Sequence, residues 1–339
     1  MKKKMLIVLL ALSVIALVVI AYGYSIVSSG FDIDKTVYVY IDGKKDYDDL
    51  VNQLETKAHI KSKADFRKVA WLLSYKDKMR VGRYAVTPDM SVLELVRHLR
   101  NGHQAPVKLT FNNIRTKADL AERIGEQLLF GKDNLLNALD NQEECSKFGF
   151  APETIVAMFI PNTYEFYWTV SLDDFLIRMN KEYTKFWNAD RLAKAGKMEL
   201  TPIEVSTLAS IVEEECTYSD EYSAVAGLYY NRLRAGQKLQ ADPTVKFAVG
   251  DFSLRRILNI HLQVNSPYNT YQHEGLPPGP IRIPSIKGID SVLNYEQSNY
   301  FYMCAKEDFS GRHNFAATYA EHQRNAEWYR QALNERGIK

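Results

Sequence analysis

The hydrophobic pattern of the chain opens with one long apolar segment. Residues 5–27 contain no charged side chain, and about 20 apolar residues are enough to cross a bilayer. Lys2, Lys3 and Lys4 precede the segment, and positive charge is retained on the cytoplasmic side. The pattern therefore predicts a transmembrane helix over residues 5–27 that follows a cytoplasmic tail at residues 1–4.

A cleaved signal peptide is the alternative interpretation of this segment. The apolar run is long for a signal peptide, and no clear A-x-A cleavage site follows it. The pattern favours an anchor, with everything after Ser28 outside the cytoplasm.

Beyond a short linker at residues 28–35, β-branched and aromatic runs alternate with short amphipathic stretches. The predicted strands are 36–41, 82–87 and 107–111, and the predicted helices are 47–54, 64–74, 91–100 and 116–129. The elements up to residue 106 predict a small α+β module. Gly102 supplies the stop signal for its last helix.

The region after residue 150 adds an aromatic run at residues 159–168. Aromatic rings stack on sugars as well as on each other, so this run lines a glycan cleft or fills a core. A helix is predicted over 173–187, a strand over 300–305, and a polar turn around His313.

The best-marked helix start in the chain is at Thr201. Thr201 supplies an N-cap hydroxyl, Pro202 a proline at the first helical position, and Glu204 the acid of a capping box. At about 100° per residue, apolar side chains then share one arc. These residues are Val205, Leu208, Ala209, Val212 and Cys216.

This arc predicts an amphipathic helix with an acidic end. Glu214 faces away from the arc, while Glu213 and Glu215 lie on its flanks. A carboxyl group at such a border is partly desolvated, which raises its pKa and suits a general acid. The alternative is a surface helix, because acidic runs usually mark a solvated face.

Local signals continue downstream. Ser219 is placed to cap a helix that runs to Arg234 and stops at Gly236, and Asp242 to cap a helix that Pro243 opens. Proline- and glycine-rich loops follow at residues 266–271 and 275–284, a composition that holds a backbone rigidly.

Composition limits the function classes. The 339 residues are 46% hydrophobic, which leaves room for more than one domain, and the net charge of +2 gives no case for nucleic acid. The three cysteines are odd in number and lack a C-x-x-C spacing, which argues against a disulfide framework or a zinc site. They are predicted to be core thiols, with one disulfide pair left open.

Cofactor chemistry has no support in the motifs. No H-E-x-x-H motif and no glycine-rich phosphate loop occurs, and no motif centres on a lysine. A pyridoxal-phosphate lyase, which needs a Schiff-base lysine and a phosphate cradle, is therefore disfavoured. We expect no cofactor and no metal.

Six motifs in order resemble the endolytic murein transglycosylases of the MltG (YceG-like) family. They are Ser210-Ile-Val-Glu-x-Glu215, Asn231-Arg-Leu233, Leu239-Gln-x-Asp-Pro-Thr-Val245, Tyr268-Asn-Thr-Tyr271, Gly275-Leu-Pro-Pro-Gly279 and His313-x-Phe315. The stretch 80–100 is similar to the LysM-like module of such enzymes. One departure is Cys216, where the family usually has Thr.

The resemblance implies an α+β fold with an N-terminal transmembrane helix, a small LysM-like α+β module at 36–106 and a larger α+β catalytic domain at 107–339. It implies cleavage of the β-1,4 bond from N-acetylmuramic acid to N-acetylglucosamine, leaving a 1,6-anhydro end. Glu215 would be the general acid and base. One carboxyl group can suffice because the substrate's own C6 hydroxyl is the nucleophile.

The resemblance also implies substrate-binding residues. They are Gln240, Tyr268, Asn269, Tyr271, His313 and Glu213. For some of them a structural role is open, since Glu213 can flank the core and His313 can be an ordinary hydrogen-bonded residue.

The implied partners are the glycan strands of peptidoglycan, with peptidoglycan synthases as possible neighbours at the outer face of the inner membrane. A membrane-tethered scaffold that binds peptidoglycan without cutting it is the alternative function.

Overall fold

The N-terminal apolar segment forms one long helix in the computed structural model, which describes residues 2–254 and 256–337. This helix, α1 (Lys2–Val27), has 26 residues. Among the described residues it is the one helix long and apolar enough to cross a membrane. Of the predicted segments, the tail includes Met1 and the catalytic domain includes Ile338 and Lys339, which lie outside the described residues.

The chain divides into two compact units. The first comprises Met1–Leu109, Gln127–Phe130 and Tyr164–Ser171, and the second comprises Thr110–Glu126, Gly131–Thr163 and Leu172–Lys339. The change of unit at residues 109–110 lies close to the predicted boundary at 106–107. The two short returns to the first unit have no signal in the sequence.

The first unit contains a two-stranded sheet and three helices after α1. The elements are β1 (Val37–Ile41), α2 (Tyr47–Thr56), α3 (Lys63–Leu72), β2 (Gly82–Val86) and α4 (Val92–Asn101). The strands are antiparallel, with Val37 opposite Val86 and Ile41 opposite Gly82. Gly102 ends α4 with a φ of +76°, as its stop signal predicts.

The segment predicted as a linker, residues 28–35, is packed into the first unit. Phe31 is buried in the core and forms a β-bridge with Ile60. The backbone N–H of Val92 donates to the carbonyl of Ser29 at 2.7 Å. Little free chain therefore separates α1 from the strands and helices that follow it in this unit.

Two strands have residues in both units. They are β3 (Val107–Phe111) and β4 (Asn162–Phe166), which pair with each other. The aromatic run around β4 supplies buried side chains at Phe159, Tyr164 and Phe166, so these three rings fill core space.

The second unit is mainly helical. Its helices are α5 (Lys117–Gly125), α6 (Gly131–Asp140), α7 (Gln142–Ser146), α8 (Leu172–Phe186), α9 (Ala189–Lys197), α10 (Pro202–Glu215), α11 (Tyr222–Arg234), α12 (Asp242–Val249), α13 (Ile286–Leu293) and α14 (Tyr319–Glu335). The predicted helix 116–129 ends early, at Gly125, where an added Cβ would meet the backbone of Lys132 at 2.2 Å. The chain turns at this close contact into α6.

Helix α10 lies in the core of the second unit. The capping box of Thr201 and Glu204 is present as predicted. The prediction of a single inward arc is wrong, because every residue from Val205 to Glu213 is buried. Its three buried hydroxyls bond to carbonyls within the helix: Ser206 to Pro202, Thr207 to Ile203 and Ser210 to Thr207. These bonds give each buried hydroxyl group a hydrogen-bond partner inside the core.

Two predicted features near the end of the unit also differ. Helix α11 begins at Tyr222, so Ser219 does not cap it, and the Ser219 hydroxyl instead accepts a hydrogen bond from Lys287 at 2.5 Å. His313 begins a strand rather than lying in a turn. This strand, β6 (His313–Ala316), pairs antiparallel with β5 (Tyr302–Ala305).

Candidate active site

Glu215 is the last residue of α10, and its carboxyl group combines a raised pKa with a buried oxygen atom. Its Oε2 atom is buried and has no hydrogen-bond partner among the described residues. Burial, reinforced by the nearby carboxylate of Asp242, raises the pKa of Glu215 from 4.5 to about 7. A hydrogen bond from Tyr229 and the charges of Arg232 and Lys246 oppose this rise. The carboxyl group can therefore hold or release a proton near neutral pH.

Tyr229 and Arg232 of α11 act on this carboxyl group, Tyr229 through a hydrogen bond and Arg232 through its charge. Tyr229 is buried, which raises the pKa of its hydroxyl well above 10 and keeps it neutral. Arg232 donates to the carbonyl of Phe301 at 2.6 Å and to that of Leu239 at 2.7 Å. It therefore ties the segments that flank the site to α11.

Asp242 is exposed at the start of α12. Its predicted capping role is wrong, because Ala241 occupies the N-cap position and no side chain caps this helix. Instead, Oδ1 of Asp242 accepts a hydrogen bond of 2.7 Å from the hydroxyl of Tyr271. The side chain is thus held beside Glu215 by a residue from the next loop.

A pair of threonines locks the Gln240 segment to the Tyr271 loop. The hydroxyls of Thr244 and Thr270 are 2.8 Å apart in the core, and that of Thr270 accepts from the backbone of Ala241 at 3.0 Å. Gln240 donates its N–H to the carbonyl of Thr270 at 3.1 Å. Its backbone has a φ of +51°, an uncommon conformation for a residue with a side chain. The Gln240 side chain is exposed.

Asn269 is fully buried, and its amide group is used within the loop. The amide nitrogen donates to the carbonyls of Leu262 and Val264, each at 2.9 Å, and the oxygen accepts from the N–H of Tyr271 at 3.1 Å. These bonds fix the backbone that presents Tyr271. They also occupy the amide nitrogen and oxygen, which are the groups with which Asn269 would bind a sugar.

Tyr268 packs against Phe247, with ring centroids 4.7 Å apart. Burial raises the pKa of its hydroxyl to about 12. Both rings line a cavity of about 440 Å³ together with Arg115, Glu153 and Pro280.

A smaller cavity of about 40 Å³ shares Arg115 and Phe247 with the larger one and is also lined by Lys246. Lys246 is one of the charges that lower the pKa of Glu215. The two cavities therefore share Arg115 and Phe247, and Lys246 of the smaller one also acts on the charge of Glu215.

Glu213 is buried and anchors the start of α13. Its Oε1 accepts from both the N–H of Ser285, at 3.0 Å, and the hydroxyl of Ser285. Gly288 makes room for this contact, because a Cβ at that position would lie 2.2 Å from Oε1. Of the two roles left open by the sequence, these contacts supply the structural one.

Glu214 was predicted to face away from the apolar arc of α10, but this side of the helix is not left to solvent. Its two oxygens each lie 2.7 Å from an arginine, Arg115 on one side and Arg282 on the other. Arg282 also lies 3.5 Å from Glu213. The acidic end of α10 is therefore not a solvated face, and the alternative of a surface helix fails.

His313 is engaged with Glu221. Its Nδ1 lies 3.2 Å from Oε2 of Glu221, and its backbone N–H donates to Oε1 at 3.0 Å. Glu221 is buried, so this pair ties β6 to the start of α11.

The structure thus separates the predicted residues into two groups. Glu215, Asp242 and Tyr271 lie close together, with Gln240 two residues before Asp242 and Tyr268 on the aromatic cavity. Asn269, Glu213 and His313 instead hold surrounding segments together. Sequence reasoning did not find Tyr229 or Lys246. Tyr229 lies outside every motif, and Lys246 directly follows one.

All three cysteines are free thiols, with Cys145 and Cys216 buried. This confirms the prediction of core thiols for these two. Burial raises the pKa of Cys145, Cys216 and Cys304.

Comparisons with known proteins all find similarity to the same family. A sequence profile of the YceG-like family matches residues 39–328. A protein of Bacillus subtilis strain 168 named endolytic murein transglycosylase is 26% identical over 323 residues, which cover 90% of this chain and 88% of the relative. One of the same name from Streptococcus pneumoniae is 25% identical over 340 residues, covering 88% of this chain and 60% of the relative.

A solved structure points the same way. The 2.6 Å crystal structure of a yceG-like protein from Listeria monocytogenes shares 28% identity with this chain. The match has a TM-score of 0.57 and covers 86% of this chain and 99% of the other. The profile spans most of the sequence, and this chain belongs to the YceG-like family.

Proposed function

We propose that this protein is a membrane-anchored endolytic lytic transglycosylase that cleaves the β-1,4 bond from N-acetylmuramic acid to N-acetylglucosamine in peptidoglycan. The relatives named endolytic murein transglycosylase support the reaction class. The observation that carries the assignment to a site is the carboxyl group of Glu215, whose Oε2 atom is buried and whose pKa is raised to about 7.

The proposed reaction uses Glu215 twice. Its protonated carboxyl group donates a proton to the glycosidic oxygen as the bond from C1 of N-acetylmuramic acid to that oxygen breaks. The C6 hydroxyl of the same sugar then attacks C1, and the Glu215 carboxylate takes up the hydroxyl proton. The products are a free 4-hydroxyl on one fragment and a 1,6-anhydro ring on the other, and no water is consumed.

A single carboxyl group suffices because the nucleophile is part of the substrate. Glycosidases that transfer to water or form a covalent intermediate need a second carboxylate for that step. Here the attacking oxygen is already linked to the reacting carbon, which removes much of the entropic barrier. We assign Asp242 an electrostatic role, since its charge helps to keep the proton on Glu215.

The substrate contacts in the proposal follow from exposure and chemistry. The exposed Gln240 amide can donate to and accept from sugar hydroxyl and acetamido groups. Tyr271 lies next to Asp242 and Tyr268 lines the aromatic cavity, so their rings are available to sugar faces. For Asn269, Glu213 and His313 we propose positioning roles, because their polar groups are engaged within the protein.

The remaining parts of the proposal concern location. We propose that α1 anchors the chain in the inner membrane, with the lysines before it in the cytoplasm and both units on the outer side. We propose that residues 36–106 act as a LysM-like module and 107–339 as the catalytic domain. Action on new glycan strands would place the protein near peptidoglycan synthases.

The test is digestion of purified peptidoglycan by the full chain in detergent, followed by identification of fragment ends by mass. The wild type is expected to release fragments with 1,6-anhydro ends, and Glu215→Gln to lower the rate at least 100-fold, as loss of a general acid commonly does. Glu274→Gln is the matched control, because Glu274 is an exposed carboxylate in the loop after Tyr271.

Three outcomes would count against the proposal. Hydrolytic reducing ends would exclude a transglycosylase. Undiminished cutting by Glu215→Gln would exclude the catalytic residue. Retained glycan binding with no cutting by the wild type would favour the alternative of a non-catalytic scaffold.

A further inference from the structure

We propose that the exposed end of α3, formed by Trp71 and Leu72, lies in the interfacial layer of the membrane that α1 crosses. This inference rests on the membrane anchor of the proposed function. Trp71 is 81% exposed and Leu72 is 67% exposed. The opposite face of α3 supplies Phe66 and Val69 to the core of the first unit, so the fold itself does not use the two exposed side chains.

The position of Trp71 relative to α1 is fixed by a direct contact. Lys68 donates to the hydroxyl of Tyr22 in α1 at 3.0 Å and lies 5.3 Å from the centroid of its ring. Residues three and four apart share a helix face, so Trp71 and Leu72 lie on the face that carries Lys68. The apolar end of α3 therefore borders the anchor.

The position of this contact along α1 places it near the outer interface of the bilayer. Tyr22 follows Met5, the first residue of the apolar segment, by 17 positions, which is about 25 Å along a helix. The hydrocarbon core is about 30 Å thick. Tyr22, and with it Lys68, would therefore lie near the outer interface, where tryptophan and tyrosine are enriched in membrane proteins.

Charge around Trp71 fits lipid phosphates. Arg67, Lys68, Lys76 and Lys78 are all exposed. Basic side chains near a bilayer surface are attracted to phosphate groups, and long ones keep their charge in water while their stems contact apolar groups. Arg67 and Lys68 lie within about one helical turn of Trp71 on α3. An apolar end flanked by cations matches a bilayer interface, where acyl chains meet phosphate groups.

Fluorescence quenching tests this placement in the full chain. The protein is reconstituted into vesicles of phosphatidylcholine and phosphatidylglycerol with brominated acyl chains, which quench tryptophans close to the hydrocarbon. The chain has four tryptophans, so Trp71 is isolated by comparing the wild type with Trp71→Phe. Trp328→Phe is the matched control, because Trp328 is also exposed, at 51%, but belongs to the second unit.

Trp71→Phe is expected to lose at least half of the quenching by brominated lipid, and Trp328→Phe to keep it. Equal quenching in the wild type and in Trp71→Phe would overturn the inference. Alkaline carbonate extraction of the same vesicles separates this failure from that of the anchor. A chain that carbonate releases is not membrane-spanning, which overturns the anchor and this inference together, whereas a chain that is retained without Trp71 quenching overturns this inference alone.

Discussion

The hydroxyl of Tyr271 donates a hydrogen bond of 2.7 Å to the carboxylate of Asp242, and the two residues come from segments 29 positions apart. This bond holds a negative charge near Glu215, where it contributes to the raised pKa of that carboxyl group. Two carboxyl groups thus share one site, and the buried one keeps the proton.

Asp242→Asn should move the pH dependence of cutting. Removing the charge lowers the pKa of Glu215, so the fall in rate on the alkaline side should shift to lower pH by about one unit. The measurement is the rate of release of anhydro-ended fragments between pH 5 and pH 9. Tyr271→Phe keeps the Asp242 charge but removes the bond that holds it, so it should give a smaller shift in the same direction. The same downward shift in both variants would show that the hydrogen bond, not the charge, sets this pKa.

Glu215→Gln should stabilise the folded protein at alkaline pH. The pKa of Glu215 is raised from 4.5 to about 7 on folding, so its folded state binds more protons than the unfolded state between these values. Stability of the wild type is therefore lost as pH rises from 4.5 to 7, by up to about 3 kcal/mol. The variant lacks this slope.

Thermal melting of the two proteins in detergent between pH 4.5 and pH 8 measures this effect. The variant should melt close to the wild type at pH 4.5 and at higher temperature at pH 8. A constant difference across this range would contradict a raised pKa at Glu215.

Arg282→Ala should destabilise the second unit. Arg282 lies 2.7 Å from Glu214 and 3.5 Å from the buried Glu213. Removing one partner leaves carboxylates unpaired in a largely buried place, which costs about 3–5 kcal/mol for a fully buried pair and somewhat less here. Chemical denaturation gives the change. Arg178→Ala removes an exposed partner of Glu182 and should cost less than about 1 kcal/mol, so an equal loss in both variants would argue against this role for Arg282.

Gly288→Ala should also destabilise, although alanine is the better helix former. A Cβ at Gly288 would lie 2.2 Å from Oε1 of Glu213 and would displace the contact of Glu213 with Ser285. We expect a loss of about 1–3 kcal/mol. Gly196→Ala in α9 is the matched control, because nothing lies within 4 Å of its added Cβ, and it should gain about 0.5–1 kcal/mol. The changes in melting temperature of the two variants are therefore expected to have opposite signs. A Gly288→Ala variant more stable than the wild type would refute the close contact.

Local signals in the sequence predicted the structure where one short segment decides it. The start of α10 depends on Thr201 and Glu204, which are three residues apart, and the structure has this capping box. The strands and helices of the first unit were predicted to within a few residues for the same reason.

Features that depend on distant partners were missed. Asp242 was predicted to cap a helix because it directly precedes Pro243. Its actual partner, Tyr271, was missed because the bond joins segments far apart in sequence. Glu214 looked solvated because the two arginines that bind it, Arg115 and Arg282, come from other segments. His313 looked like part of a turn because its strand forms only against β5.

The candidate site was predicted in part. The helix pattern placed both Glu213 and Glu215 beside an apolar arc, and the family resemblance singled out Glu215. The burial of every residue from Val205 to Glu213 could not be predicted from the pattern of one helix. It arises because α11 and α13 pack on further sides of α10. Asn269 was predicted from its motif as a sugar contact, whereas the structure engages its amide within the loop.

Residues 28–35 are built into the first unit through Phe31 and Ser29. With α1 in a bilayer, this unit has almost no slack to rise from the lipid surface. It would diffuse laterally with the anchor at a fixed distance from the membrane. It would therefore meet only polymer that lies no farther from the membrane surface than the unit itself extends. Lengthening this junction with a flexible insert would therefore alter which layer of the wall it can sample.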